Sequence, residues 1–465
     1  MALAQKRITM PATNSDFGGS RLLFRKGEKF SHSLNDFNVR GRHLDKVCYI
    51  DFLLYGTLLA PHSPVEGIEV LYPGYSMGGA NQYQGFSVQV EKRGIDYFVD
   101  ELDSFFSDYF SRAYAESQPD ALLLSGGIDS AILLSYMRNP KCVTWGGWGP
   151  ESTDIKFSRV NAKTFGVSRH EFVYVDYDRD EEIYKQSVRD LRIPLLFANA
   201  VPFIRMSEAG RHMGIRRWYM GQNADTISCA YASIEAVRRL TPFIRYIPAK
   251  SWLRAMAFSD ARLRKLFLLS TGNIPELFAY FKSDGIYPNN SLRVPDGYFD
   301  DKNRILDTHT RPQTLTQRIV LAEEFMTEAR RNQIIQNEVP RCFGIETRAP
   351  YHERSVIKTM LSVPDSITRM DSYGKIVLKR LAERRGVPAE VIQKGKKGLS
   401  YGHADFIKSG RHIPMWKKMV KDDFLNEFID VRVLRETQRD NFSLFDRIRS
   451  LFWYGELVVR PLNLI

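Results

Sequence analysis

Six consecutive residues, Ser125-Gly126-Gly127-Ile128-Asp129-Ser130, bring two glycines, two hydroxyls and a carboxylate into one short stretch. Paired glycines let the backbone approach a phosphate closely. The N–H groups at the start of a following helix would point at that anion with the helix dipole behind them. Ser125 and Ser130 can add hydroxyl donors, and Asp129 can hold Mg²⁺ against the phosphates. The stretch lacks the G-x-x-x-x-G-K-[ST] spacing, so it is not a Walker loop. A bare Gly-Gly would read as a capped tight turn. The added carboxylate and serines argue for polyphosphate binding instead.

Such a loop needs a strand to deliver it and a helix to receive it. Ala121 to Leu124 is a short, fully apolar run that predicts a buried strand, and Ile132 to Met137 continues as a helix. Cys142 to Trp145, Glu171 to Val175 and Arg217 to Met220 predict three further strands, with a helix over Asp154 to Phe165 between two of them. Strand and helix alternating at this spacing predict an α/β fold built on a doubly wound parallel sheet. Residues 235–465 read mostly as helix, with loops around Pro288 to Asp301 and Lys394 to His403. Upstream, Ile95, Phe98, Leu102, Phe105, Phe106, Tyr109 and Phe110 recur at helical intervals, and a domain boundary is expected near residue 115.

The loop after its hydrophobic strand resembles the Ser-Gly-Gly-x-Asp-Ser signature of the PP-loop ATP pyrophosphatases, whose fold is adenine nucleotide alpha hydrolase-like. Three later segments resemble the asparagine synthetases within that superfamily. Met220-Gly-Gln-Asn-Ala-Asp225, running on to Ala230-Tyr231, resembles their G-E-G-x-D-E…G-Y segment. Glu346-Thr-Arg-Ala-Pro-Tyr351 resembles E-x-R-x-P-[FY]. Lys375 to Leu399, with Pro388 to Ile392 and Lys396-Lys397-Gly398, resembles K-x-x-L-[KR]…P-x-x-[VI]…K-K-G.

The resemblance implies ATP and Mg²⁺ as cofactors and a role for each matching residue. Leu124, Trp145 and Gly146 would line the adenine end, with Met220 and Gly221 closing from the next strand. Ser125, Gly126, Gly127 and Ser130 would hold phosphates. Asp129 and Asp225 would pair on Mg²⁺, because a pyrophosphate leaving group needs its charge neutralised. Lys396 would add positive charge near the phosphates, and Glu346 would stand beside the reacting centre. A solvated basic loop is the alternative for Lys396, and a buried ion pair for Arg348. His170 lies at the start of a strand, where relatives often carry His.

Two departures redirect the expected activity. Residue 2 is Ala, where ammonia-generating relatives expose a cysteine after Met1. The segment before the loop is about half a usual glutaminase domain, and only Asp51 to Gly56, Gly67-Ile68 and Tyr72-Pro-Gly74 resemble the end of one. Glutamine hydrolysis by a terminal thiolate is therefore not expected. The G-E-G glutamate is Gln222, and an amide cannot serve as a general base. Gln222 is expected to orient substrate by hydrogen bonding, while Glu346 or a substrate group takes the proton.

The domain expectation is a truncated N-terminal domain over 1–115 and a synthetase-like domain over 116–465. The expected function is an AMP-forming amide ligase. It would act on a small-molecule or peptide carboxylate, with an amine or ammonia as nucleophile, the ammonia coming free or from a partner glutaminase. Closure of β-lactam or peptide macrolactam rings and amidation of peptides or sugars are such reactions. The alternatives are a PP-loop enzyme modifying a nucleobase or tRNA, and a non-catalytic synthetase-like subunit. The net charge of +12, from 66 Lys and Arg against 54 Asp and Glu, suits either triphosphate or nucleic acid. No RNA-binding appendage or cysteine pair accompanies it, so nucleic acid is the less favoured partner. Cys48, Cys142, Cys229 and Cys342 are far apart, which argues against zinc or disulfides. No apolar stretch is long enough to span a membrane and no secretory signal is visible, so a cytoplasmic protein is expected. A homo-oligomer is compatible with the sequence.

Overall fold

The computed structural model describes residues 21–71, 86–116, 121–147, 149–230, 272–283, 286–287, 292–309, 312, 314–371, 374–394, 410, 412–429 and 442–464. At its centre are β4 (Ala121–Leu123), β5 (Lys141–Gly147), β6 (His170–Tyr174), β7 (Arg217–Met220) and β8 (Glu346–Arg348). The preceding strands β1 (Phe24–Lys26), β2 (Lys29–Ser31) and β3 (Glu69–Val70) form a separate antiparallel sheet in the order β2-β1-β3. The central sheet has the order β6-β5-β4-β7-β8 and is parallel throughout. β4 is apolar at every position and fully buried, as expected of a strand covered on both faces.

The strand order has one consequence for function. The chain moves outward from β4 to β5 to β6, then crosses back to lay β7 on the other side of β4. Right-handed crossovers running in opposite directions put their helices on opposite faces, and the carboxyl end of the sheet opens where the direction reverses. The reversal falls between β4 and β7, so the Ser125–Ser130 loop and the Gly221–Asp225 turn leave neighbouring strands at that opening.

The helices obey local rules. α1 (Lys46–Tyr55) starts at Asp45, whose carboxylate accepts the Val47 and Cys48 amides, and stops at Gly56 with φ 76°. α2 (Ile95–Glu116) buries Phe98, Leu102, Phe106 and Phe110 on one face. α3 (Ile128–Leu134) begins at the second glycine of the loop, four residues earlier than periodicity suggests. α4 (Thr153–Thr164) is capped by Ser152. α5 (Tyr177–Leu191), α6 (Phe197–His212) and the short α7 (Ala224–Ile227) complete this part. β8 was not expected from sequence: Glu-Thr-Arg is too short and polar to announce a strand. It forms because β7 leaves one edge free to pair.

α2 packs against the helices Arg354–Ser362 and Ile376–Arg384, so its packing crosses the boundary expected near 115. α1 is tied inward more strongly. Its buried Asp51 accepts a hydrogen bond from Tyr298 and pairs with Lys302 Nζ at 2.7 Å. Tyr55 Oη donates to the Pro275 carbonyl at 3.0 Å, and Arg447 donates to that of Leu53 at 3.0 Å. Burial pushes the Asp51 carboxyl up, and the Lys302 ammonium beside it opposes that rise most strongly. Among the described residues, no helix is long and apolar enough to cross a membrane.

Lys302→Met leaves a buried carboxylate without its cation, so it should destabilise the fold by about 3–5 kcal/mol. Adding Asp51→Asn should recover most of that loss. Urea unfolding of the single and double variants checks both statements.

Candidate active site

Leu124 continues β4, its amide donating to the Val143 carbonyl at 2.9 Å. The chain then turns through Ser125, and the loop closes on itself. The Ser125 amide donates to Ser130 Oγ at 3.1 Å, the two hydroxyls stand 3.0 Å apart, and the Gly127 amide donates to Ser125 Oγ at 3.1 Å. Asp154 accepts the Gly126 amide at 3.3 Å and Lys394 Nζ at 3.1 Å. A Cβ on Gly126 would lie 2.7 Å from that ammonium and 2.9 Å from Phe157 Cβ. Across the opening, a Cβ on Gly221 would lie 2.9 Å from the Ser130 amide nitrogen and 3.0 Å from Asp129 Cβ. Glycine at both positions is therefore a packing requirement, and it keeps the two turns in contact.

That contact brings Asp129 and Asp225 together on one cation. Lys375 Nζ lies 2.8 and 2.7 Å from the two Asp129 oxygens and 2.6 Å from Asp225 Oδ1. Lys375 is 8% exposed, and it immediately precedes the helix Ile376–Arg384. Burial alone would lower its pKa, but the two carboxylates outweigh burial and hold it above the ordinary lysine value. Behind the pair, Tyr351 Oη donates to the Asp129 carbonyl at 3.1 Å, and Asn223 Nδ2 donates to the Tyr351 carbonyl at 3.2 Å. Asn223 takes φ 81°, a left-handed conformation that asparagine tolerates, and starts α7 so that Asp225 turns toward β4.

Paired carboxylates on one cation, beside a glycine loop at the switch point of a parallel sheet, suit a nucleotide site. Asp129 and Asp225 fit Mg²⁺, which is usually held by one or two carboxylates together with substrate phosphates. The profile described as asparagine synthase matches residues 101–454. The chain belongs to the asparagine synthase family. Members of that family are ATP-dependent carbon–nitrogen ligases. Among curated proteins the chain is similar to asparagine synthetase (glutamine-hydrolyzing) 1 of Bacillus subtilis (strain 168), at 23% identity over 394 residues. The match covers 78% of this chain and 56% of the relative, so the chain spans about half the length of that curated relative.

In this asparagine synthase-family chain, the other motif residues fall into four groups. Leu124, Trp145, Gly146 and Met220 are buried at the carboxyl ends of the three adjacent strands β4, β5 and β7. Gln222 lies in the turn after β7, partly exposed, with no hydrogen bond to another described residue. Lys396 lies outside the described residues.

Glu346 is not brought to the carboxylate pair, and the expectation of a place beside the reacting centre is corrected here. It opens β8 in register with Arg217, at the far end of β7 from Gly221. That puts it about 10 Å along the strand from the level of Met220. Its oxygens are engaged by Arg217 Nε at 2.8 Å and an Arg348 nitrogen at 2.5 Å. Arg348 is half exposed, so a buried ion pair is not its role either.

Lys375 is the main residue that sequence reasoning passed over. It stands first in the K-x-x-L-[KR] segment, where nothing in the motif names its partners. Lys394, at the start of a loop expected from the sequence, reaches the phosphate loop through Asp154. His170 proves to be a positioning residue. Its Nε2 lies 2.7 Å from Thr144 Oγ1, and that hydroxyl spends its proton on the Leu124 carbonyl, so the ring must donate. Burial, helped by Arg159, lowers the His170 pKa to about 4 and keeps the ring neutral. Cys48, Cys142 and Cys229 are buried, Cys342 is partly so, and all four are free thiols.

Lys375→Met should destabilise the metal-free protein by about 1–3 kcal/mol, a range discounted for the partly exposed carboxylates. Millimolar Mg²⁺ without nucleotide should then raise the melting temperature of the variant more than that of the parent. Equal response to Mg²⁺ would show that the aspartates do not form a cation site.

His170 is depressed in the fold, so protonation favours the unfolded chain. Its contribution is fully present above pH 6.5 and is lost as pH falls toward 4. His170→Gln should flatten the stability profile in that window by at most about 1.4 kcal/mol per pH unit, measured as urea midpoints.

Proposed function

We propose that this chain adenylates a substrate carboxylate and passes the acyl group to an amine or ammonia, forming an amide. A carboxylate oxygen attacks the α-phosphorus of ATP and the bond to the β-phosphate oxygen breaks, releasing pyrophosphate. The amine then attacks the acyl carbon, the bond to AMP breaks, and the amine loses a proton. The observation that carries this reading is the meeting of Asp129 and Asp225 on one cation beside the Gly126–Gly127 loop. Mg²⁺ held by the two carboxylates would supply charge neutralisation on the pyrophosphate.

The chain's own residues divide the work. Ser125, Gly127 and Ser130 shape the loop, and Gly126 and Gly221 keep its approach open. Leu124, Trp145, Gly146 and Met220 offer an apolar end for the base of ATP. Lys375 is assigned the neutralising of phosphate charge, a reading supported by its ammonium lying 2.6 to 2.8 Å from both carboxylates. Gln222 is assigned the orienting of the acyl group by hydrogen bonding. Glu346 is too far along β8 to take the amine's proton, so that proton is assigned to a substrate group. Lys396 remains a candidate for added positive charge. The amine is left open between one carried by the substrate, free ammonia and ammonia from a partner glutaminase.

ATP–pyrophosphate exchange tests the reading. With a competent carboxylate the parent should exchange label, Asp129→Asn and Asp225→Asn should each lose at least about 100-fold, and Glu346→Gln should stay within about threefold. Full exchange in either aspartate variant, or none in the parent with any carboxylate, would sink it.

A further inference from the structure

A cavity of about 280 Å³ lies between α7 and the helices Leu315–Met326, Arg354–Ser362 and Asp365–Thr368. It has room for on the order of nine waters, close to the low end for small-molecule pockets. Two of its walls come from the segments that carry the catalytic pair and its cation. The Ala230 amide donates back to the Asp225 carbonyl at 2.8 Å, which places the lining residue Cys229 within one turn of Asp225. On the other side Thr368 lines the cavity, and Asp371, three residues on, accepts the Lys375 amide at 3.0 Å. The frame is cross-linked: Gln317 Nε2 donates to the Val88 and Leu361 carbonyls at 3.0 Å each.

The lining has a definite chemistry. Ile227, Met360 and Leu361 supply apolar surface, while Thr316, Thr368 and Asp365 supply oxygens. Thr316 is 7% exposed, and its hydroxyl has no hydrogen-bond partner among the described residues. No Lys, Arg or His is among the described lining residues, and the one ionised lining group is Asp365, whose outward contact is a half-exposed pair with Arg369 at 3.8 Å. An anion placed there would lose its hydration, meet the Asp365 carboxylate and find no cation among the described lining residues. An aliphatic chain ending in an ammonium group meets apolar walls, two hydroxyl oxygens and a carboxylate.

We propose that this cavity receives the part of the carboxylate substrate remote from the reacting group, and that this part is an aliphatic chain without negative charge, best one ending in an ammonium. The inference rests on the ligase reading and narrows its substrate class. A second carboxylate, as in aspartate, is disfavoured by this pocket.

Three acids sharing one reacting carboxylate separate the cases: N-acetyl-lysine, N-acetyl-norleucine and N-acetyl-2-aminoadipate. Two readouts are taken, ATP–pyrophosphate exchange and calorimetric binding of each acid in the presence of α,β-methylene-ATP. The expected order is lysine, then norleucine, with the aminoadipate derivative at least tenfold weaker. Thr316→Leu, which fills the cavity, should raise KM for the acids at least tenfold and leave nucleotide affinity unchanged. Asp365→Lys, at a partly exposed helix start, should reverse the order in favour of the aminoadipate derivative. Equal binding of the three acids, or indifference to both substitutions, overturns the pocket assignment even if exchange proceeds. Ordered binding without any exchange would keep the pocket and sink the ligase reading instead.

Discussion

Lys375 ties together three parts of the chain that lie far apart in sequence and that the fold carries side by side. Asp129 follows β4, Asp225 follows β7, and Lys375 sits at the head of a helix far downstream. Two carboxylates this close would repel one another, and the repulsion strengthens as water is excluded. One ammonium at 2.6 to 2.8 Å from both turns that repulsion into a bond. A site poised for a divalent cation is thereby stable without one, because the protein supplies a charge of its own. The arrangement depends on strand order: only because the chain crosses back from β6 does β7 lie beside β4.

The surroundings hold this geometry by filling space and satisfying polar groups. Gly221 and Gly126 let the loops approach to distances that any side chain would forbid. Thr144, held by His170, fixes the Leu124 carbonyl where the strand ends and the phosphate loop begins. Tyr351 reaches from beyond β8 to the Asp129 carbonyl. The edge strand β8 thus serves the site through the residue that follows it, while its first residue, Glu346, faces two arginines at the other end.

The N-terminal part is not a loosely attached remnant. α1 is buried from Cys48 to Tyr55, and its Asp51 is neutralised by Lys302 from the helical part. A helix buried on every side shows no amphipathic period, so the mostly apolar run Val47 to Leu59 signals burial without signalling a helix. The strands of the small sheet are two or three residues long and carry no periodic signal at all.

The sequence by itself determined the parallel α/β core, four of its five central strands and the phosphate loop. Those features rest on local rules: apolar runs bury, glycines permit close approach, and a strand followed by a helix closes a crossover. It also named both aspartates, through motif order. Tertiary structure decided the rest, because the remaining questions concern distance between segments far apart in the chain. Motif order could not show that Glu346 lies at the wrong end of its strand, since position along a strand depends on the register with β7. Nor could it show that Lys375 is the shared counter-ion, since a lysine's role is set by which carboxylates the fold carries to it.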